Sequence, residues 1–348
     1  MILNKNHLFN DEKKGKLKIY VGNNRENLLE IKDILEKYKI FSKKGKKKLL
    51  GLDFEFNSAK IALAQLNLDD FIYNDMEVIL VFDPRDKLIK EVFREVVLLE
   101  NVWIILHGAE SLDLPYVIND LLNKKSKDVV NFFRNMIDTK FLCEYTLFDK
   151  PGRCKINYLL EQQGVITKKF LDKMLKNEEK MGKIYLVYVD VKKLSTELLL
   201  YSSYDVIFLP DLIRKLEKNT PFIEIVRFTQ INYMMKYNLL REFLKAKNII
   251  AKLNMSYFPQ IDNENNKLTN IIAPLIEIAQ SKELSRFKQI QGLKKIIDLI
   301  EKSYLYPIFI NKDNIRNITK EKIKPLELPT EIQKIFIDLA ENIKNMIN

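Results

Sequence analysis

The sequence predicts a mixed α/β sheet covered by helices, followed by an all-α C-terminal module. Short apolar runs rich in strand formers come first in succession and then alternate with helical patterns, which is typical of such a sheet. From residue 220 onward the apolar spacing is helical. With 348 residues, 47% of them hydrophobic, the chain is long enough for two packed domains, expected at 1–219 and 220–348.

The individual elements follow from hydrophobic periodicity. Strands are expected at 17–21, 49–56, 61–68, 78–82, 102–106 and 132–137. Helices are expected at 28–38, 88–99, 111–122 and 198–216 in the first domain, and at 221–244, 271–279, 293–300 and 331–346 in the second. The lysine-rich segment 167–191 has two interpretations, a solvated charged loop or a mobile flap that contacts phosphates.

Composition narrows the class of partner. The net charge is +11 and the sequence pI is about 9.2, which suits a polyanion because lysines gain affinity by releasing counterions from phosphates. No apolar run is long enough to span a membrane, so we expect a soluble intracellular protein without a membrane partner. The two cysteines, Cys143 and Cys154, do not suggest a disulfide framework, and we expect a reducing compartment.

The first candidate site is the acidic pair Asp53 and Glu55 in the apolar run 50–56. Residues two apart on a strand point to the same face, so both carboxylates project from one side. Neighbouring carboxylates in apolar surroundings repel each other and need a cation between them, and oxygen-rich sites select Mg²⁺ or Mn²⁺. The alternative is a strand end whose charges reach solvent.

A second pair, Tyr201 and Asp205, lies in the predicted helix 198–216. Positions i and i+4 of a helix share a face, so the phenol and the carboxylate point the same way. Without the strand pair, an amphipathic helix with a boundary tyrosine and a solvated aspartate would explain the same pattern.

The third candidate is Asp113, which follows an apolar strand and a turn of small residues that starts at His107. We favour Asp113 as the functional acid of this segment because apolar helical positions continue around it. Glu110 remains an alternative. An acid in the first turn of a helix also complements the helix dipole, which needs no metal.

The order of these motifs resembles the DEDD superfamily of 3′–5′ exonucleases, and the tyrosine resembles its DEDDy branch, which includes ribonuclease D. Three further stretches agree with this resemblance: 137–140, 155–160 and 193–195. The resemblance covers about residues 15–217. In one departure, Asp113 lies one residue further from His107 than the corresponding acid does in family members.

The resemblance implies a ribonuclease H-like fold and hydrolysis of RNA or DNA from a single-stranded 3′ end. It also implies two Mg²⁺ or Mn²⁺ ions, with Asp53 between them, Glu55 and Asp205 completing one site, and Asp113 holding the other. Tyr201 would orient the attacking water. Further candidates for contact with nucleic acid are Phe56, His107, Lys46, Lys47 and Lys48.

Two other functions remain open at this stage. One is a nucleic-acid-binding protein on an exonuclease fold that does not cleave. The other is a scaffolding protein whose C-terminal helices bind a protein partner. The presence of all four carboxylates and the tyrosine favours the enzyme.

Overall fold

The computed structural model describes residues 1–10, 15–45, 47–146 and 154–217. The chain divides into two compact units, and the first, Met1–Phe141 with Gly152–Ile223, contains the candidate site. Lys46 and the predicted helical domain 220–348 lie outside the described residues.

The described part of the chain forms a seven-stranded mixed sheet, with helices packed against it, as the sequence predicts. The strands are β1 (Ile2–Asn4), β2 (Lys16–Val21), β3 (Lys48–Asn57), β4 (Lys60–Tyr73), β5 (Met76–Phe82), β6 (Val102–Leu106) and β7 (Met136–Asp138). Their order in the sheet is β1-β2-β5-β4-β3-β6-β7. β3, β6 and β7 run parallel, whereas β3, β4 and β5 form an antiparallel meander at the centre.

The helices of the described residues mostly follow the strands as connections. They are α1 (Arg25–Ser42), α2 (Lys90–Val97), α3 (Asp113–Tyr116), α4 (Ser126–Arg134), α5 (Thr139–Thr146), α6 (Ile156–Gln162), α7 (Lys168–Met181), α8 (Thr196–Ile207) and α9 (Leu209–Leu216). α3 continues directly into a π-helical turn at Val117–Leu121. The predicted helix 111–122 is therefore real, although its hydrogen-bonding pattern changes along its length.

Alternation along β3 separates its two faces. On one face the Phe54 ring packs edge-on against Phe93 of α2 and Tyr116 of α3. On the other face Gly51 lies against α8, and a Cβ atom there would come within 2.8 Å of the Val206 carbonyl oxygen. The central sheet is thus covered on both sides, and the side that carries Asp53 and Glu55 faces α8.

Three expectations need correction. The lysine-rich segment 167–191 is not a loop throughout, because α7 occupies Lys168–Met181, begins at an N-cap provided by Thr167 and buries an apolar stripe. The predicted strand 132–137 is a strand only from Met136, since its phenylalanines belong to α4. Both cysteines are disulfide-bonded, so the expectation that they form no disulfide is wrong.

Two strands differ from the sequence-based expectations. The sequence does not predict β1, and β4 extends five residues beyond the predicted end at 68.

Among the described residues, no helix combines the length and the apolar character needed to cross a membrane.

Candidate metal centre

The topology brings the candidate acids to one edge of the sheet. β3 and β6 are parallel, and Gly51 lies opposite Ile105, so Asp53 lies beyond the end of β6. The carboxyl ends of parallel strands meet at the same edge, where open α/β sheets place their ligand crevices. His107 follows β6 and Asp138 ends β7 at this edge.

Three carboxylates converge there. One oxygen from each of Asp53, Glu55 and Asp205 lies within 4.8 Å of the other two. Two of these acids come from one strand and the third from α8, about 150 residues later in the chain. An all-oxygen donor set of this size is of the kind that binds Mg²⁺ or Mn²⁺.

The position of α8 is fixed by close packing and by its ends. Ser195 caps its first turn by accepting a hydrogen bond from the Leu198 amide at 3.1 Å. At its other end the Asn67 side-chain amide donates to the carbonyl oxygens of Val206 and Ile207, at 3.3 and 2.9 Å. Gly51, beside Asn67 in the neighbouring strand, lets the helix approach the sheet closely. These contacts hold Asp205 over β3.

Burial raises the pKa of every carboxyl group in this cluster, and repulsion from neighbouring carboxylates raises it further for Glu55 and Asp205. For Asp53 the dominant cause is desolvation. For Glu55 desolvation is again the largest cause, the charge of Asp53 adds to it, and the Ser202 hydroxyl opposes it. For Asp205 desolvation is followed by the charges of Asp53 and Glu55. These carboxylates are therefore short of compensating positive charge, which a divalent cation would provide.

Asp113 lies in the same cavity, and Glu110 is not among the described residues that line it. The pKa of Asp113 is raised first by desolvation and then by the charges of Asp53, Asp138 and Glu55. Asp113 is the first residue of α3, and the Leu114 amide donates to the Ala109 carbonyl at 3.0 Å. Of these two acids, the structure therefore brings Asp113 to the cavity that holds Asp53, Glu55 and Asp205.

The turn after β6 is held by Asp138, which the sequence analysis does not single out beyond the stretch 137–140. Its buried carboxylate accepts hydrogen bonds from the amides of Gly108 and Ala109, at 3.0 and 3.1 Å. It also accepts from the amide of Lys140 at 2.9 Å. Asp138 therefore fixes the turn that leads into Asp113. An acid at the end of a buried strand was the available signal.

Tyr201 lines the cavity beside Asp205, as the spacing of four predicts. Its pKa is raised first by the charge of Asp205, then by burial and by Glu55. Tyr204 points elsewhere, since its buried ring packs between Phe170 and Phe208. The two tyrosines of α8 therefore have different surroundings.

The cavity has a volume of about 360 Å³. Of the residues proposed to contact nucleic acid, Phe56 and His107 line it. His107 is held in place through its Nδ1, which lies 2.9 Å from the Thr139 hydroxyl, and burial lowers its pKa to about 4.

The structure does not bring Lys47 and Lys48 to this cavity. Lys47 donates to the Asn135 side chain at 2.6 Å and lies over the Trp103 ring, with its amine 3.6 Å from the ring centre. Lys48 begins β3 and lies over the ring of Phe41. Both therefore belong to the end of β3 opposite the acids.

A further contact that the sequence analysis missed joins the end of β3 to the segment 184–189. The Asn57 side chain donates to the Val189 carbonyl and accepts from the Val189 amide, each at 2.8 Å. Ile184, at the start of the segment, lines the acidic cavity. No local sequence signal pairs residues that are 132 positions apart.

No family model matches this chain. An uncharacterized protein of Acanthamoeba polyphaga mimivirus, L533, is 24% identical over 272 residues. The match covers 73% of this chain and 50% of that protein, so the chain spans about half the length of this relative.

Three solved structures are similar at lower identity. Trypanosoma brucei RNase D in complex with GMP is 14% identical with a TM-score of 0.40, and the match covers 65% of this chain and 64% of that one. Escherichia coli RNase D is 13% identical with a TM-score of 0.34, over 95% and 75% of the two chains. The catalytic core of Trypanosoma brucei RRP6 is 12% identical with a TM-score of 0.32, over 95% and 80%.

Proposed function

We propose that this protein is a metal-dependent 3′–5′ exonuclease that hydrolyses phosphodiester bonds at the 3′ end of RNA or DNA. The observation that carries the proposal is the convergence of Asp53, Glu55 and Asp205 within 4.8 Å. Asp113 and Tyr201 line the same cavity, so every residue of the ordered motif set faces one space. The 3′–5′ polarity is carried by the resemblance of that motif set.

The acids present fit two divalent ions. Asp53, Glu55 and Asp205 would hold one ion, and Asp53 and Asp113 would hold the second. When bound, such ions lower the pKa of the attacking water and stabilise the charge on the leaving oxygen. The raised pKa values of these carboxyl groups agree with this assignment, because four acids in one buried space need positive charge to remain ionised.

Tyr201 orients the water rather than removing its proton. A phenol with a pKa of about 10 is already protonated at neutral pH. Asp205 and Glu55 raise the pKa of Tyr201 further, so the hydroxyl keeps its proton and remains a hydrogen-bond donor and acceptor. Its i, i+4 spacing from Asp205 holds the hydroxyl next to the carboxylate cluster.

The remaining residues shape the site. Asp138 holds the turn that positions Asp113. His107 is neutral at pH 7 because its pKa is lowered, and it lines the cavity as a polar group without charge. Phe56 offers an aromatic ring at the cavity, which suits stacking on a nucleobase.

The proposal is tested with the full chain and single-stranded oligonucleotides labelled at the 5′ or the 3′ end, in Mn²⁺, in Mg²⁺ and in a chelator. We expect the 3′ label to be released first as a mononucleotide, only with metal. Asp172→Asn removes an exposed acid of α7 that lines no part of the cavity, and this variant should release nucleotide as the wild type does. Binding of the oligonucleotide without release, under every metal condition, would favour the non-catalytic alternative instead.

A further inference from the structure

A second cavity adjoins the candidate metal centre, and its walls are cationic and aromatic. Its volume is about 520 Å³, and it lies beside the turn between β3 and β4, the beginning of α2 and α3. We call it the cationic groove, and its walls include Phe56, Lys60, Arg85, Lys90, Leu112 and Tyr116. Phe56 and Leu112 line both cavities, so a flexible ligand can extend from one into the other.

The positive charge of the cationic groove is concentrated on two lysines. Within the described residues, neither Lys60 nor Lys90 forms an ion pair. Arg85 is compensated, because its guanidinium donates to both oxygens of Asp83, at 2.9 and 2.7 Å. One acid, Asp120, lies on the groove wall. Lys60 and Lys90 therefore present positive charge that no acid of the described residues pairs.

The segment 184–189 borders this region and exposes large apolar side chains. Leu186 is 76% exposed and Tyr188 is 79% exposed. The exposure is held in place, because Asn57 binds the backbone of the next residue, Val189, through two hydrogen bonds. Because the backbone beside Tyr188 is already ordered, less freedom is lost there when a ligand stacks on the ring.

Tyr188 lies near the turn between β3 and β4, because the next residue, Val189, is hydrogen-bonded to Asn57 at the end of β3. The cationic groove adjoins the same turn, since Ala59 and Lys60 line it. Unpaired lysines and an exposed aromatic ring thus lie together next to the carboxylates.

We propose that the cationic groove and Tyr188 bind the single-stranded nucleic-acid segment that precedes the nucleotide held at the metal centre. Lys60 and Lys90 contact consecutive phosphates, and Tyr188 stacks on an unpaired base. This inference rests on the proposed function for the identity of the terminal nucleotide. Bases inside a duplex are already stacked on one another, so the ring selects a single strand.

The chemistry favours nucleic acid over other polyanions. A run of acidic side chains would satisfy the two lysines but would offer nothing to stack on Tyr188. A nucleic-acid strand supplies both groups at a regular spacing, and basic grooves with aromatic platforms are the general solution for binding it.

The test measures binding of a fluorescent 12-nucleotide single strand to the full chain in a chelator, by anisotropy over a range of salt. We expect Lys60→Gln/Lys90→Gln to make the log–log salt slope less negative by about 1.4, from about 0.7 per phosphate contact. If the variant and the wild type bind equally at 1 M salt, this change in slope makes binding by the variant roughly 25-fold weaker at 0.1 M salt. The matched control is Lys32→Gln/Lys127→Gln, which removes the same charge from exposed lysines that line neither cavity.

Tyr188 is tested separately because its contribution does not depend on salt. Loss of a stacked base costs about 1–3 kcal/mol, so Tyr188→Ala should weaken binding about 5- to 150-fold. Tyr188→Phe keeps the ring and should recover most of that affinity. The residue is exposed, so either substitution leaves the fold intact even if the double lysine variant does not fold.

Several outcomes would overturn the inference. One is an unchanged slope and affinity in both the lysine and the Tyr188→Ala variants. Others are equal affinity for a duplex of the same sequence, or for a glutamate-rich peptide of equal charge. The two proposals fail separately: binding in the expected pattern without nucleotide release in Mn²⁺ contradicts the exonuclease alone, whereas hydrolysis with unaltered slopes contradicts the cationic groove alone.

Discussion

Replacing Gly51 by alanine tests whether the approach of α8 to the sheet sets the geometry of the candidate metal centre. The new Cβ atom would lie 2.8 Å from the Val206 carbonyl oxygen and 3.3 Å from the Asn67 Cβ. An ordinary carbon–oxygen contact is about 3.3 Å or longer, so the helix has to move by about 0.5 Å. Overpacking of this kind costs about 1–3 kcal/mol of folding free energy.

The same displacement should reduce activity, because Val206 directly follows Asp205 in α8. A misplacement of about 1 Å can cost about 10²-fold in rate, so about half that distance predicts roughly tenfold lower kcat/KM. We would measure the free energy of unfolding in urea and kcat/KM on a single-stranded oligonucleotide with Mn²⁺.

Gly45→Ala is the matched control for this prediction. Gly45 has a φ of +80°, and a Cβ atom there would meet none of the described residues within 4 Å. The left-handed backbone makes alanine cost about 1–2 kcal/mol, similar to the expected cost at Gly51, without touching α8. The control should lose stability and keep its activity. Wild-type stability and activity in Gly51→Ala would refute the argument, as would equal losses of activity at both glycines.

Three further predictions concern the cavity itself. Asp53→Asn should abolish nucleotide release, yet it should stabilise the protein at neutral pH when a chelator has removed the metal. The pKa of Asp53 is raised in the folded state, so the stabilising contribution of this residue is complete below about pH 4 and is lost as pH rises. The stability advantage of the variant, measured by urea unfolding, should therefore shrink in acid. Asp113→Asn should remove most activity and Glu110→Gln much less, and the reverse order would assign the second acid to Glu110. Tyr201→Phe should keep metal affinity, measured by calorimetry, and lose about 10²-fold in kcat, whereas Tyr204→Phe, inside the apolar packing, should be nearly neutral; equal losses would contradict the role of Tyr201.

Patterns that depend on a few neighbouring residues were sufficient for much of the fold. The strand alternation that places Asp53 and Glu55 on one face is confirmed. Tyr201 and Asp205 lie on a helix as predicted, but α8 ends at Ile207, and the rest of the predicted helix 198–216 forms α9. The prediction failed at the segment 168–181, where frequent lysines alternate with the apolar residues that the helix buries. It also failed at Phe132, because a short apolar run fits a helix as well as a strand. In both cases the packing partner decides the conformation, and that partner is distant in sequence.

The sequence by itself therefore determined the types of element and which chemical groups share a face, because backbone periodicity is local. Only the tertiary structure decided which faces meet. Asp205 lies next to Asp53 because Gly51 allows α8 to approach the sheet closely and Asn67 is hydrogen-bonded to the end of that helix. Tyr188 is exposed at its position because Asn57 is hydrogen-bonded to the backbone of the next residue. These contacts join residues between about 130 and 160 positions apart. Their free energy comes from close packing and from hydrogen bonds that exist only after the chain has folded.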